Sequence, residues 1–134
     1  MKLEQQVISL ELAKRLKALG VKQESYCAWN VNSPDGDTSY APTLRVRQYG
    51  NTKDEVVMKG GKVTFSDLYY AAFTVAELGE MIGNTQNARF FRTNAGFGME
   101  WAAMTDFHTE YRKTEAEARG LMLAYLIENN LLSV

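Results

Sequence analysis

The sequence predicts an α+β fold. A mostly antiparallel sheet of four to six strands is packed by an N-terminal and a C-terminal helix, with a short middle helix crossing between strands. Three observations carry this expectation. Thr74 with Glu77 and Thr114 with Glu117 are two Thr-x-x-Glu capping boxes, each standing at the head of an apolar run of helical period. Ser9 marks a third helix start near the beginning of the chain. Between these helices, apolar residues alternate with polar ones at period two, and the runs are separated by Gly, Asn and Pro.

The last helix, TEAEARGLMLAYLIENN over 114 to 130, sets the architecture. At 100° per residue, Ala118, Leu121, Met122 and Tyr125 form one apolar stripe. Ala116, Gly120, Leu123 and Ile127 form a second on the opposite side. Such a helix must be covered twice, by a sheet on one face and by another helix or a second copy of the chain on the other. Ala116 and Gly120 let that second cover come close. Glu115 and Arg119 have the favourable i,i+4 order. Asn130 can take the left-handed position after the last turn, with Leu131 folding back as its apolar contact.

The first helix is expected from Leu10 to Leu19, with Leu12, Leu16 and Leu19 on its apolar stripe and Glu11 spaced to pair with Arg15. Gly20 closes it, and Val21 returns onto Leu16 in a Schellman arrangement. The middle helix lies within 73 to 83, with Phe73 stapled onto Leu78 and Gly83 as the stop. The segment 66 to 72, SDLYYAA, reads as an ordered connection packed on the sheet.

Strands are expected over 25 to 31, with Cys27, Trp29 and Val31 on one side, and over 43 to 49, with Leu44 and Val46 inward and Arg45, Arg47 and Tyr49 outward. Segments 55 to 59 and 62 to 65 continue a meander, and 88 to 93 and 99 to 104 add two strands separated by NAGFG. The segment 105 to 113 reads as a polar connection. NSPDGD, from Asn32 to Asp37, is a turn by composition, and its acidic spacing does not fit a calcium loop.

At 134 residues the chain is of a size that buries a core as a single α+β domain over 1 to 134. Hydrophobic residues at 46% and charged residues at 23% exclude disordered and fibrous classes. The net charge of −1 divides into a +3 stretch over 41 to 62 and a −3 stretch over 63 to 87. Neither is the basic stripe of a dedicated nucleic-acid binder. Cys27 is the only cysteine, which rules out an intrachain disulfide and a cysteine-based zinc site. The opening residues are broken by Glu4 and Glu11 and lack a signal-peptide core, and no stretch is apolar enough to span a membrane. A cytoplasmic protein with no membrane partner and no cofactor is expected.

VISLELAKRLKALGVKQESY, AAFTVAELGEMIG and TEAEARGLMLAYLIENNLL together resemble small uncharacterised proteins of bacterial and prophage or phage genomes. The resemblance implies an α+β fold and a mobile-element origin. It carries no activity, cofactor or catalytic residue.

Three groups of residues could carry function. The preferred expectation is a non-enzymatic interaction or accessory protein. It would meet a protein partner, or itself as a homodimer, through Ala116, Gly120, Leu123 and Ile127. An alternative is single-stranded nucleic-acid binding, with Arg45, Arg47 and Tyr49 on one strand and Arg89, Phe91 and Arg92 on another to stack bases and neutralise phosphates. The second alternative is a metal-dependent activity at Asp106, His108 and Glu110, which share one side of the chain if that segment is extended. With a single His and no GxSxG elbow, no nucleophilic triad is assembled, and no catalytic residue is assigned.

Overall fold

A computed structural model describes residues 2–31, 42–46, 55–58, 61–64, 69–83, 87–102 and 107–133. Four helices occur among them: α1 (Leu3–Gln6), α2 (Leu10–Ala18), α3 (Val75–Ile82) and α4 (Glu115–Glu128). The strands are β1 (Cys27–Asn30), β2 (Thr43–Val46), β3 (Glu55–Met58), β4 (Gly61–Thr64), β5 (Tyr69–Ala71), β6 (Ala88–Thr93), β7 (Gly96–Ala102) and β8 (Phe107–Arg112). The α+β class therefore holds. In place of one sheet of four to six strands, the described strands form antiparallel sheets in the orders β2-β1-β5 and β6-β7-β8, with β3 and β4 paired as a ladder of two. Helix α3 connects β5 of one three-stranded sheet to β6 of the other.

Helix α4 is covered on two sides, as its two stripes require. It packs on β7 and β8 on one side and on α2 and α3 on the other. Tyr125 lies against Trp101, with ring centroids 6.0 Å apart. On the far side, a Cβ built on Gly120 would fall 2.6 Å from Leu12 Cδ2 and 2.7 Å from Ile8 Cγ2. Glycine is what allows this approach. Ala116, Leu123 and Ala124 are fully or almost fully buried beside it. The helix that closes the second stripe belongs to the same chain.

Both capping signatures start helices, and they differ in where the glutamate goes. In α3 the box is complete: Glu77 N–H donates to Thr74 Oγ1 at 3.3 Å and Thr74 N–H donates to Glu77 Oε1 at 2.9 Å. In α4 only half of it forms, Glu117 N–H donating to Thr114 Oγ1 at 3.2 Å. The Glu117 carboxylate instead accepts from Ser9 N–H, and from Ser9 Oγ at 3.2 Å. Ser9 is the N-cap of α2, and its hydroxyl accepts from Leu12 N–H at 3.3 Å. Position N3 of α2 is Leu12, which has no acceptor to return to the Ser9 amide. Glu117 supplies that acceptor from another helix, so the capping box of α2 is completed across the chain.

The C-terminal ends match the sequence closely. Gly20 has φ 90° after α2, Val21 N–H donates to Leu16 O at 3.1 Å and Gly20 N–H to Lys17 O at 3.0 Å, which is the Schellman pattern. Asn130 has φ 57° after α4, with Leu131 N–H on Leu126 O at 2.8 Å and Asn130 N–H on Ile127 O at 3.1 Å. The apolar contact there comes from Leu132, which packs on the core, while Leu131 points outward. Arg119 pairs with Glu115 at 2.9 Å as expected. Arg15 does not take Glu11; its guanidinium makes two 2.8 Å bonds to Glu128 on α4. Ser9 meets Glu117, Leu12 meets Gly120 and Arg15 meets Glu128, so α2 and α4 run in broadly the same direction.

Three segments differ from the sequence expectation. SDLYYAA contains β5, which pairs with β1. Its opposite edge is satisfied by side chains, Gln23 Oε1 accepting from Ala71 N–H at 2.8 Å and Lys17 Nζ donating to Tyr69 O at 3.1 Å. NAGFG is not a loop: the turn is Asn94 and Ala95, and Gly96 already pairs with Thr93. The polar connection before α4 contains β8, an all-polar alternation on its inner side that carries no apolar signal. The Asn32 to Asp37 turn lies outside the described residues.

Ser9→Ala and Glu117→Ala are each expected to lower the unfolding free energy by about 1–3 kcal/mol. Because both act on one junction, their losses should fall short of additivity by about 0.5 kcal/mol or more in urea unfolding of the four proteins. Strict additivity would place the carboxylate elsewhere. Gly120→Ala gains about 1 kcal/mol of helix propensity but overpacks the seam by about 1–3 kcal/mol. We expect a net loss in the parent chain and a smaller loss in a Leu12→Ala background, where one of the two close contacts has been removed and Ile8 remains. An equal loss in both backgrounds would show that Leu12 of α2 does not close on Gly120.

Candidate interaction surface

The expected contact stripe on α4 is not a surface. Ala116, Gly120 and Leu123 are buried inside the chain, and Ile127 is half-buried against the same core. With Ile8 and Leu12 on Gly120, the intramolecular cover is the one present.

The residues of the nucleic-acid alternative fall on different sheets. Arg45 is exposed on β2, whereas Arg89, Phe91 and Arg92 are on β6; Arg47 and Tyr49 lie outside the described residues. Even along β6 the set divides, because alternate residues face opposite ways. Arg92 shares the inner face, its guanidinium 5.5 Å from the ring centroid of Phe97. Arg89 and Phe91 share the outer face, where Arg89 pairs with Glu100. The Phe91 ring lies over Gly98, whose absent Cβ would collide with it. Tyr111 reaches towards Gly96 from the other side, its ring 6.5 Å from Phe91. Both rings cover backbone that the glycines leave bare.

Of the metal alternative, His108 and Glu110 do share one side of β8, and Asp106 lies outside the described residues. His108 Nε2 is 2.8 Å from Glu110 Oε1, and the other Glu110 oxygen is 3.3 Å from the Arg112 guanidinium. The imidazole lies flat on the Tyr125 ring at 3.6 Å with 2° between the planes. The two ion-pair contacts lie within β8, and the stacking of His108 on Tyr125 fastens the strand to α4. Among the described residues no group of three or more His, Cys, Asp or Glu is placed to hold a metal ion.

Among the described residues, the most exposed large apolar side chains are at the start of the β1-β2 ladder. Tyr26 is 67% exposed and Val46 is 66% exposed. Val46 pairs with Cys27, the residue after Tyr26, so the two side chains lie at the same end of the ladder but on opposite faces. By the same alternation Tyr26 shares its face with Arg45, the partner of Ala28. Sequence alternation had placed Val46 inward with Leu44. Leu44 does pack with Trp29, Cys27, Val7 and Ala72, but this small cluster ends there and leaves Val46 beyond it. No period-two signal distinguishes the last covered position from the first uncovered one.

The backbone beneath Tyr26 is held from α3. Glu77, whose Oε1 completes its own capping box, also accepts from Ser25 Oγ at 2.9 Å through that oxygen and from Tyr26 N–H at 3.3 Å through Oε2. Ser25 Oγ in turn accepts from Cys27 N–H at 3.2 Å. Cys27 itself is buried, and burial first, then the charge of Glu77, pushes its thiol above the usual range, which keeps it protonated and unreactive. The exposed tyrosine therefore projects from a fixed point.

One solvent-exposed ion pair has a titration consequence. The hydrogen bonds from Arg15 hold the Glu128 carboxyl below the ordinary glutamate range, against a smaller opposing effect of burial. Comparison of the chain with protein-family models, with curated proteins and with solved structures finds no match. Among the described residues no helix is long and apolar enough to cross a membrane.

A carboxyl whose pKa is lower folded than unfolded adds stability above the unfolded value, about 4.3, and loses it as pH falls through the folded value. Arg15 and Glu128 are each more than a third exposed, so screening keeps their coupling to about 0.2–1 kcal/mol. An Arg15→Ala and Glu128→Ala double-mutant cycle should show that coupling at pH 7, a smaller one near pH 3, and a reduction in 1 M salt. A coupling unchanged at pH 3 would contradict the assignment.

Proposed function

We propose that this chain is a non-enzymatic interaction protein, an accessory protein of the cytoplasm of the kind phage and prophage genomes carry, and that it meets its partner through Tyr26 at the exposed end of the β1-β2 ladder, whose opposite face carries Val46. The observation that carries this reading is Tyr26: two-thirds exposed, yet fixed at its backbone by Glu77. A tyrosine whose backbone is already held has less backbone freedom to lose on binding, and tyrosine is enriched among residues that dominate interfaces. Val46 exposes apolar area on the opposite face of the same ladder end. The residues first put forward for chemistry, His108, Glu110 and Arg89, are each engaged by neighbours within the fold.

Tyr26→Ala and Val46→Ser should leave stability within about 0.5 kcal/mol, because both side chains are on the surface. Light scattering over a concentration series then tests self-association: a mass above the 15.1 kDa of the chain that falls to the monomer in the double variant identifies a second copy as partner. For a monomer, a photo-crosslinker at position 26 should capture a discrete species in cells that one at the exposed helix position Glu11 does not. Equal capture at both positions, or none at 26 with a monomeric chain, overturns the reading.

Arg45 on the Tyr26 face supports single-stranded nucleic acid as a second reading. It requires binding to a labelled oligonucleotide that weakens with salt and is reduced several-fold by Arg45→Ala and by Tyr26→Ala alike. Binding indifferent to Tyr26 would remove this reading and leave the protein partner.

A further inference from the structure

We draw no further inference here: the strongest candidate, the outer face of the β6-β7-β8 sheet where Phe91 and Tyr111 lie over Gly98 and Gly96 beside the Arg89 and Glu100 pair, carries nothing because the rings already cover bare strand backbone, the charges compensate one another, and nothing in the structure shows what covers this face.

Discussion

Helix α4 can be solvated on neither of its apolar sides, and the way its second side is closed determines much of the arrangement around it. A helix seated on a sheet by Met122 and Tyr125 still has Ala116, Gly120 and Leu123 to bury. The small residues make this possible at short range, since Leu12 and Ile8 occupy the volume a side chain at position 120 would take. Apolar packing alone would leave α2 free to slide along that seam. Two polar contacts fix its register, Glu117 on the amide and hydroxyl of Ser9 at one end and Arg15 on Glu128 at the other. The first is the stronger constraint, because it lies in a partly buried place where an unpaired amide or carboxylate would cost about 1–3 kcal/mol. Ile8, next to this junction, donates its N–H to Phe73 O and accepts from Trp29 Nε1, which carries the constraint on to α3 and β1.

The two capping-box glutamates show how one local signature serves two long-range purposes. Glu77 closes its own box and still has capacity for Ser25 and Tyr26, which sit beside the start of α3. Glu117 abandons the local half of its box for Ser9. The difference follows from the neighbouring chain rather than from the helix itself. An N-cap serine whose N3 residue is leucine has one donor its own helix cannot satisfy, and it lies within reach of Glu117. Near Glu77, the approaching segment offers donors that can be added without displacing the Thr74 amide. In both cases a carboxylate at the positive end of a helix dipole joins that helix to another element.

Helix positions were the most legible part of the fold because their evidence is local. Ser9, Thr74, Thr114, Gly20 and Asn130 act within a few residues of themselves, and each stands at the end it marks. The double-sided character of α4 was also readable, since periodicity alone shows that two faces are apolar. Sheet membership was less so. β5 is three residues long, and β8 places His108 and Glu110 on its inner side, so neither offers the alternation by which a strand is recognised. Whether strands join one sheet or several depends on contacts remote in sequence, which no local pattern encodes. Gly96 and Gly98 illustrate the same limit: their turn-like composition is explained by Phe91 and Tyr111 lying over them, a fact about β6 and β8 rather than about β7.

The candidate surface was hidden for a related reason. Residue type identifies groups able to do chemistry, and here His108, Arg119 and Arg15 act as fasteners between elements while Glu110 holds His108 and Arg112 on its own strand. Arg119 pairs with Glu115 and spreads over the Phe90 ring at 4.6 Å; His108 lies on Tyr125. The most exposed large apolar side chains among the described residues are a tyrosine and a valine of ordinary strand composition, and only three-dimensional packing separates them from buried neighbours of the same kind. The link from sequence to that surface runs through Glu77. A residue placed to start a helix also holds the backbone from which Tyr26 projects, so the capping signature that made α3 legible also anchors the approach to β1.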